Sequence, residues 1–255
     1  MNRRSIILAE AQRNGQVSVD ALAQTLGVSA HTIRRDINAL CEDAKLRRLH
    51  GGAEFVPGAE NLPYSTREVL NFHAKRAIAK SAAALVDDGA TVFISIGTTP
   101  ALVAAALAER EALTVITNNL NAAMAISANN AHRVILPGGE LRLPDRDILG
   151  EQAIRIFSGY RADFGIYGVA GIDGDGSLLD FHEAEVRARQ EIHGHSRHTI
   201  LVADHTKFGR RAAAVGGALQ EADTVVLDAR PDAAFSGALD SMAGQLILAP
   251  QEVAS

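Results

Sequence analysis

Apolar positions along this chain change rhythm near residue 90: before it they repeat at helical spacing, and after it they gather into short runs between helical stretches. Val19, Leu22, Ala23 and Leu26 fall at i, i+3, i+4 and i+7, one face of a helix. Ser18 stands at the expected N-cap, where its hydroxyl can accept from a first-turn amide, and Gly27 at the expected stop. After Ser29 a second helix carries Ile33, Ile37 and Leu40 on one face. Helix, short glycine-containing turn, helix predicts a helix-turn-helix over residues 18–40. Alternation around Leu46 and Leu49, followed by Gly51 and Gly52, predicts a small β-ribbon or wing.

The outer face of the second helix carries the chemistry. At about 100° per residue, His31, Arg35 and Asn38 project opposite the apolar face, with Thr32 and Arg34 on either side. Arginine can bind guanine O6 and N7 together, and amides and hydroxyls can reach other base edges in the major groove. Ser29, which caps this helix, and His31, Thr32, Arg34, Arg35 and Asn38 are therefore its expected DNA-binding residues. Asp36, nearer the buried edge, is assigned to orienting an arginine. Lys45, Arg47, Arg48 and His50 of the wing are placed for phosphates or an adjacent groove, which adds salt-dependent affinity rather than sequence information.

Residues 53–63 hold two prolines and a glycine and read as a linker. A helix is expected from about Ser65 to Val86, with Arg67, Lys75, Arg76 and Lys80 solvated. Apolar strands are expected at 91–96, 113–117, 133–136, 164–169, 199–203 and 224–227, with helices at 101–109 and 120–128. This alternation predicts an α/β domain with a mostly parallel sheet. The domains expected are residues 1–57 for DNA, 58–74 as linker and start of a connecting helix, and 75–255 for sensing.

Charge follows the same division. The chain of 255 residues has net charge −5, yet residues 1–57 hold 8 Lys/Arg and 6 Asp/Glu, a net +2, and the rest hold 17 and 24, a net −7. The single cysteine, Cys41, excludes an intrachain disulfide and fits a reducing compartment. No run approaches about 18 uninterrupted apolar residues, so no membrane span or secretory leader is expected. His193, His195 and His198 are too awkwardly spaced on a helix to predict a metal site, and no nucleophile motif is present. Neither catalytic residues nor a cofactor are expected.

Thr98, Thr99, Asn118, Asn119, Gly138, Gly139, Asp204 and Lys207 all follow strand ends, the edge where open α/β sheets bind ligands. Gly97, Thr98 and Thr99 offer backbone amides, hydroxyls and a helix N-terminus to an anion, and Lys207 adds a mobile cation. Asn118, Asn119, Asp173 and Glu183 could hydrogen-bond hydroxyls. With neither a Walker loop nor a dinucleotide fingerprint, a small phosphorylated polyol or sugar is the expected ligand.

Val28-Ser29-x-x-Thr32-Ile33-Arg34-Arg35-Asp36, followed by Arg48 to Ala53, resembles the DNA-binding signature of the DeoR family of bacterial transcription regulators. Residues 97–100, 115–121, 138–142, 163–173, 176–179, 185–187, 196–198 and 202–210 resemble that family's sugar-phosphate-sensing half, in one order. The resemblance implies a winged helix-turn-helix domain joined to a sensing domain similar to ribose-5-phosphate isomerase folds. It implies a cytoplasmic homotetramer that represses genes of glycerol or related polyol-phosphate metabolism. Operator release by a phosphorylated effector, glycerol 3-phosphate foremost or another sugar phosphate, is implied as well. The expected effector contacts are Ser95, Gly97, Thr98, Thr99, Asn118, Asn119, Gly138, Gly139, Gly171, Asp173, Glu183 and Lys207. Ser95 departs from the aspartate usual there, and residues 142–147 also diverge. The rival expectation is a sugar-phosphate isomerase with an appended DNA-binding domain.

Overall fold

The computed structural model describes residues 3–42, 45–55 and 61–250; residues 56–60 of the expected linker lie outside them. The chain divides into two compact units, Met1–Phe72 and His73–Ser255.

In the first unit, helices Arg3–Asn14, Val19–Leu26 and Ala30–Glu42 share an apolar core made by Ile7, Ala11, Val19, Leu22, Ile33, Ile37 and Leu40. Gly27 ends the second helix in the left-handed region, φ 63°, and its amide reaches the Ala23 and Gln24 carbonyls. Ser18 occupies the N-cap position without making a cap bond. It is drawn instead into a strand, Gln16–Ser18, that the hydrophobic pattern does not announce. That strand completes an antiparallel sheet with the expected ribbon, Leu46–Leu49 and Gly52–Phe55. Gly52 is obligatory there: a Cβ on it would lie 2.1 Å from the Val17 carbonyl oxygen.

The helix expected over 65–86 is two helices, Tyr64–Val69 and Phe72–Ala83. Leu70 is extended and Asn71 left-handed at φ 52°, a conformation asparagine tolerates. Nor are its basic residues all solvated: Lys75 is only 3% exposed, and Arg67 stacks on Tyr64 and donates to the Leu62 carbonyl.

The second unit is built on seven parallel strands: β1 (Thr91–Ile94), β2 (Thr114–Thr117), β3 (Arg133–Ile135), β4 (Ala162–Tyr167), β5 (Ser196–Ala203), β6 (Thr224–Leu227) and β7 (Gln245–Leu248). Their spatial order is β7-β6-β5-β4-β1-β2-β3. Alternate residues feed two apolar layers: Val92, Ile94, Val115, Ile200 and Val202 belong to one, Phe93, Ile116, Leu201 and Val225 to the other. Burial on both faces is why these strands read as continuous apolar runs. Helices Thr98–Leu107, Leu120–Ile126, Glu151–Ser158 and Glu183–Gly194 cross between strands. A hairpin, Leu141–Arg142 with Asp147–Ile148, follows β3, and a small antiparallel sheet of Gly171–Ile172, Ser177–Asp180 and Ala214–Ala218 lies beyond β4.

From β1 the chain winds outward through β2 and β3, then returns to β4 on the other side of β1 and winds the opposite way. Strand order therefore reverses between β1 and β4. A crevice opens outside the carboxyl ends of strands at such a point. No helix among the described residues is long and apolar enough to cross a membrane.

Candidate nucleic-acid and effector sites

The helix Ala30–Glu42 presents His31, Arg34, Arg35 and Asn38 to solvent, with Thr32 half-buried. Its start is fixed by Ser29, whose hydroxyl accepts from the Thr32 amide at 3.2 Å and lies 2.9 Å from the Thr32 hydroxyl. The exposed cations thus sit on the first turns of a capped helix, the geometry a groove-reading helix needs. Arg48 of the ribbon donates to Asn38 Oδ1 at 2.9 Å, so ribbon and helix present one joined polar surface. His50 is exposed at the ribbon's turn. Arg47 is instead paired across the ribbon with the buried carboxylate of Glu54.

Asp36 does orient arginines, but they come from the first helix. Arg3 and Arg4 both donate to its carboxylate, and they hold it below the usual carboxylate range against its burial. Arg34 and Arg35 keep their outward positions.

In the second unit, the end of β1 turns through Ser95, Ile96 and Gly97 into the helix Thr98–Leu107. First-turn amides of a helix lack intrahelical partners; here they are those of Thr98 and Thr99, since Pro100 has none. The turn is fastened from β2. Asn119 Nδ2 donates to the Ser95 and Gly97 carbonyls at 3.1 and 3.0 Å, while its Oδ1 caps the next helix at Asn121 and Ala122. Both amide hydrogens are engaged inside the protein, so Asn119 positions the turn. Ser95 is engaged too: its hydroxyl accepts from the Gly168 amide at 3.2 Å and donates to the Ile96 carbonyl at 3.1 Å. Gly168 follows β4, so this bond ties together the two strands at which the order reverses.

Positive charge gathers at the end of β5. Asp204 is 1% exposed. Burial would raise its pKa, but Lys207 and then Lys75, helped by the Thr206 hydroxyl, hold it below the usual range. Lys75 is buried where the sequence reading puts it in solvent, although Ile78, Ala79 and Ala82 stand at i+3, i+4 and i+7 from it, the spacing of a buried face. His205, next in the chain, is held by Asp228 at the end of β6 through its backbone amide and its ring. Two strand spacings of about 4.8 Å separate β1 from β5 across β4. The Thr98–Thr99 turn and the lysine cluster therefore flank one narrow edge.

The remaining expected contacts lie on other elements. Asp173 is exposed in the turn between Gly171–Ile172 and Ser177–Asp180, where it accepts from the Gly174 amide. Glu183 is exposed at the first position of its helix. Gly171 is needed for packing, since a Cβ would meet the Arg210 carbonyl oxygen at 2.0 Å. Gly138 and Gly139 are exposed after β3.

Two polar networks brace this edge that the sequence did not reveal. Arg142 makes two bonds to Asp147, at 2.7 and 2.8 Å, and a third to Glu185 at 3.0 Å. Glu185 in turn accepts from the Phe181 and His182 amides and caps the helix Glu183–Gly194. Arg189 and Asp180 form a buried pair at 2.9 and 3.0 Å, and Asp180 also accepts from the Ala170 amide, just beyond β4. The three histidines are dispersed: His198 reaches the Thr224 hydroxyl, His195 the Glu191 carbonyl, and His193 the Tyr167 ring edge.

Comparison with known proteins agrees with this division. A DeoR-like helix-turn-helix domain model matches residues 3–57, and a DeoR C-terminal sensor domain model matches residues 70–229. The glycerol-3-phosphate regulon repressor of Escherichia coli is 43% identical over 229 residues, 90% of this chain and 91% of that protein. The protein of the same name from Haemophilus influenzae is 43% identical over 221 residues, 87% and 86% of the two chains. Among solved structures, ribose 5-phosphate isomerase A from Neisseria gonorrhoeae overlaps 57% of this chain and 55% of its own at a TM-score of 0.40 and 14% identity.

Proposed function

The chain belongs to the DeoR family and is a transcriptional repressor, and from that premise we propose that a small phosphorylated polyol, glycerol 3-phosphate in the first instance, releases it from its operator. Residues 1–57 bind DNA, residues 75–255 sense the metabolite, and residues 58–74 connect them. Arg34, Arg35, His31, Thr32 and Asn38 read base edges, with Ser29, Arg48 and His50 on the backbone; Arg47 contributes its charge from its pairing with Glu54. The protein acts in the cytoplasm as a homotetramer, which would present helix-turn-helix units to repeated half-sites. The isomerase alternative gives way to family membership.

One observation carries the effector reading. The strand-order reversal, the helix beginning at Thr98 and the Lys75–Asp204–Lys207 cluster all meet at a single sheet edge. A phosphate suits the helix end and the cations, because each donates to or attracts a compact anion. The proteins named as glycerol-3-phosphate regulon repressors supply the particular ester.

Operator gel shifts against a panel of phosphorylated polyols and sugars test this reading. Glycerol 3-phosphate is expected to release the DNA at the lowest concentration. Release only by a nucleotide or an unphosphorylated sugar would end the proposal. In the same assay, Arg35→Ala is expected to cost about 1–3 kcal/mol of operator binding and to relax preference at one base position. An unchanged affinity and base preference would remove Arg35 from the reading set.

A further inference from the structure

We propose that Asn118 selects the effector's chemistry by accepting a hydrogen bond from an alcohol on the carbon next to the phosphorylated one, and so favours a polyol phosphate over the corresponding keto phosphate. This rests on the reading that the sensing unit takes a small phosphate ester.

Asn118 directly follows β2, and pairing of Ile94 with Thr117 sets it beside Ser95, at the turn into the helix Thr98–Leu107. It is 1% exposed. Its Nδ2 donates to the Ile148 carbonyl at 3.1 Å, and its own carbonyl accepts the Ile148 amide at 2.9 Å. The first of these bonds fixes the amide's orientation, since turning it over would set Oδ1 against the Ile148 carbonyl oxygen. Oδ1 is buried, and no donor among the described residues reaches it.

The polar side chains around it are already occupied. Thr117 donates to the Ile94 carbonyl and accepts the Asn119 amide. Asn119 and Ser95 are engaged as described above. Asn118 Oδ1 is thus an acceptor held in place beside the anion-binding turn with its capacity unused. A buried acceptor without a donor is unfavourable, and a ligand that brings the donor gains by relieving it. A carbonyl oxygen cannot donate, so it would leave Oδ1 as it is and set two acceptors against each other. One strand spacing of about 4.8 Å separates β2 from β1. That matches the reach from a bound phosphate to a hydroxyl on the adjacent carbon, rather than to the far end of a longer chain.

The test is calorimetric titration of the full-length protein without DNA, using glycerol 3-phosphate, dihydroxyacetone phosphate and inorganic phosphate. Wild type is expected to bind the alcohol about 10-fold or more tightly than the ketone. Asn118→Ala is expected to erase most of that difference while still binding inorganic phosphate. Equal affinity of wild type for alcohol and ketone overturns the proposal without recourse to any variant. So does an alcohol preference that survives in a folded Asn118→Ala protein. If wild type binds none of the three ligands, the phosphate-ester reading itself fails, and the assignment of Asn118 falls with it.

Discussion

Replacing Lys207 with alanine is expected to yield a repressor that holds its operator and releases it only at about 10- to 100-fold higher effector concentration. Lys207 lies in the second unit, at the end of β5, and the exposed cations of the helix Ala30–Glu42 lie in the first. Removing its ammonium takes no donor from the DNA-reading face. It does remove one of the two lysines that keep the buried Asp204 ionised, the other being Lys75. A hydrogen bond from a charged donor contributes about 1.5–3 kcal/mol, so effector affinity should fall about 10- to 100-fold.

A ligand shifts an equilibrium only by its differential affinity for the two states. Weaker binding at the same metabolite level therefore leaves the DNA-bound form populated. Gel shifts with effector titration should show wild-type operator affinity and a release curve displaced to higher concentration. Lys207→Arg, which keeps the charge, should move it less. Parallel loss of operator binding in Lys207→Ala would show that the lysine supports the repressor's architecture rather than its ligand.

The DNA-reading unit was legible because its determinants are local. A 3.6-residue period, Ser29, Gly27 and two ribbon glycines lie within one short stretch, and each acts on its neighbours. Strand positions in the sensing unit were legible for the same reason, since a strand buried on both faces writes a continuous apolar run. Strand β7 was missed: Gln245–Leu248 offers only three apolar residues at a sheet edge. Strand order was beyond reach, because nothing local says that β4 returns beside β1 rather than extending past β3. The switch point, and hence the meaning of Ser95 and Gly168, follows from that order. Lys75 was misjudged for a different reason. Its residue type outweighed its position, although the helical spacing already put it among alanines and an isoleucine. The break at Leu70–Asn71 carries no proline or glycine, so periodicity ran on across it.

The Arg142 network was invisible because its members stand 5 and 43 residues apart, and removing its cation should have the largest effect on folding. In Arg142→Met the stem is kept and the charge is lost. Asp147 and Glu185, 2% and 8% exposed, then lack their shared partner. Removing one side of a buried ion pair costs about 3–5 kcal/mol, because the remaining charge is left uncompensated. For a unit of this size that lowers the melting temperature by roughly 10 °C.

The deficit should depend on pH in a definite direction. Burial already pushes Asp147 up while Arg142 pulls it down. Without the arginine, the folded Asp147 carboxyl titrates farther above its unfolded value, so the folded state holds a proton that the unfolded chain releases. That contribution is present at low pH and is lost as pH rises through the folded pKa. Thermal or urea unfolding should therefore show the variant closest to wild type near pH 5 and farthest from it near pH 8, with Asp147→Asn in the same background recovering part of the loss. A deficit of equal size at both pH values would mean that Arg142 stabilises the hairpin through the packing of its stem. The charge would then have no part in joining the hairpin to the helix Glu183–Gly194.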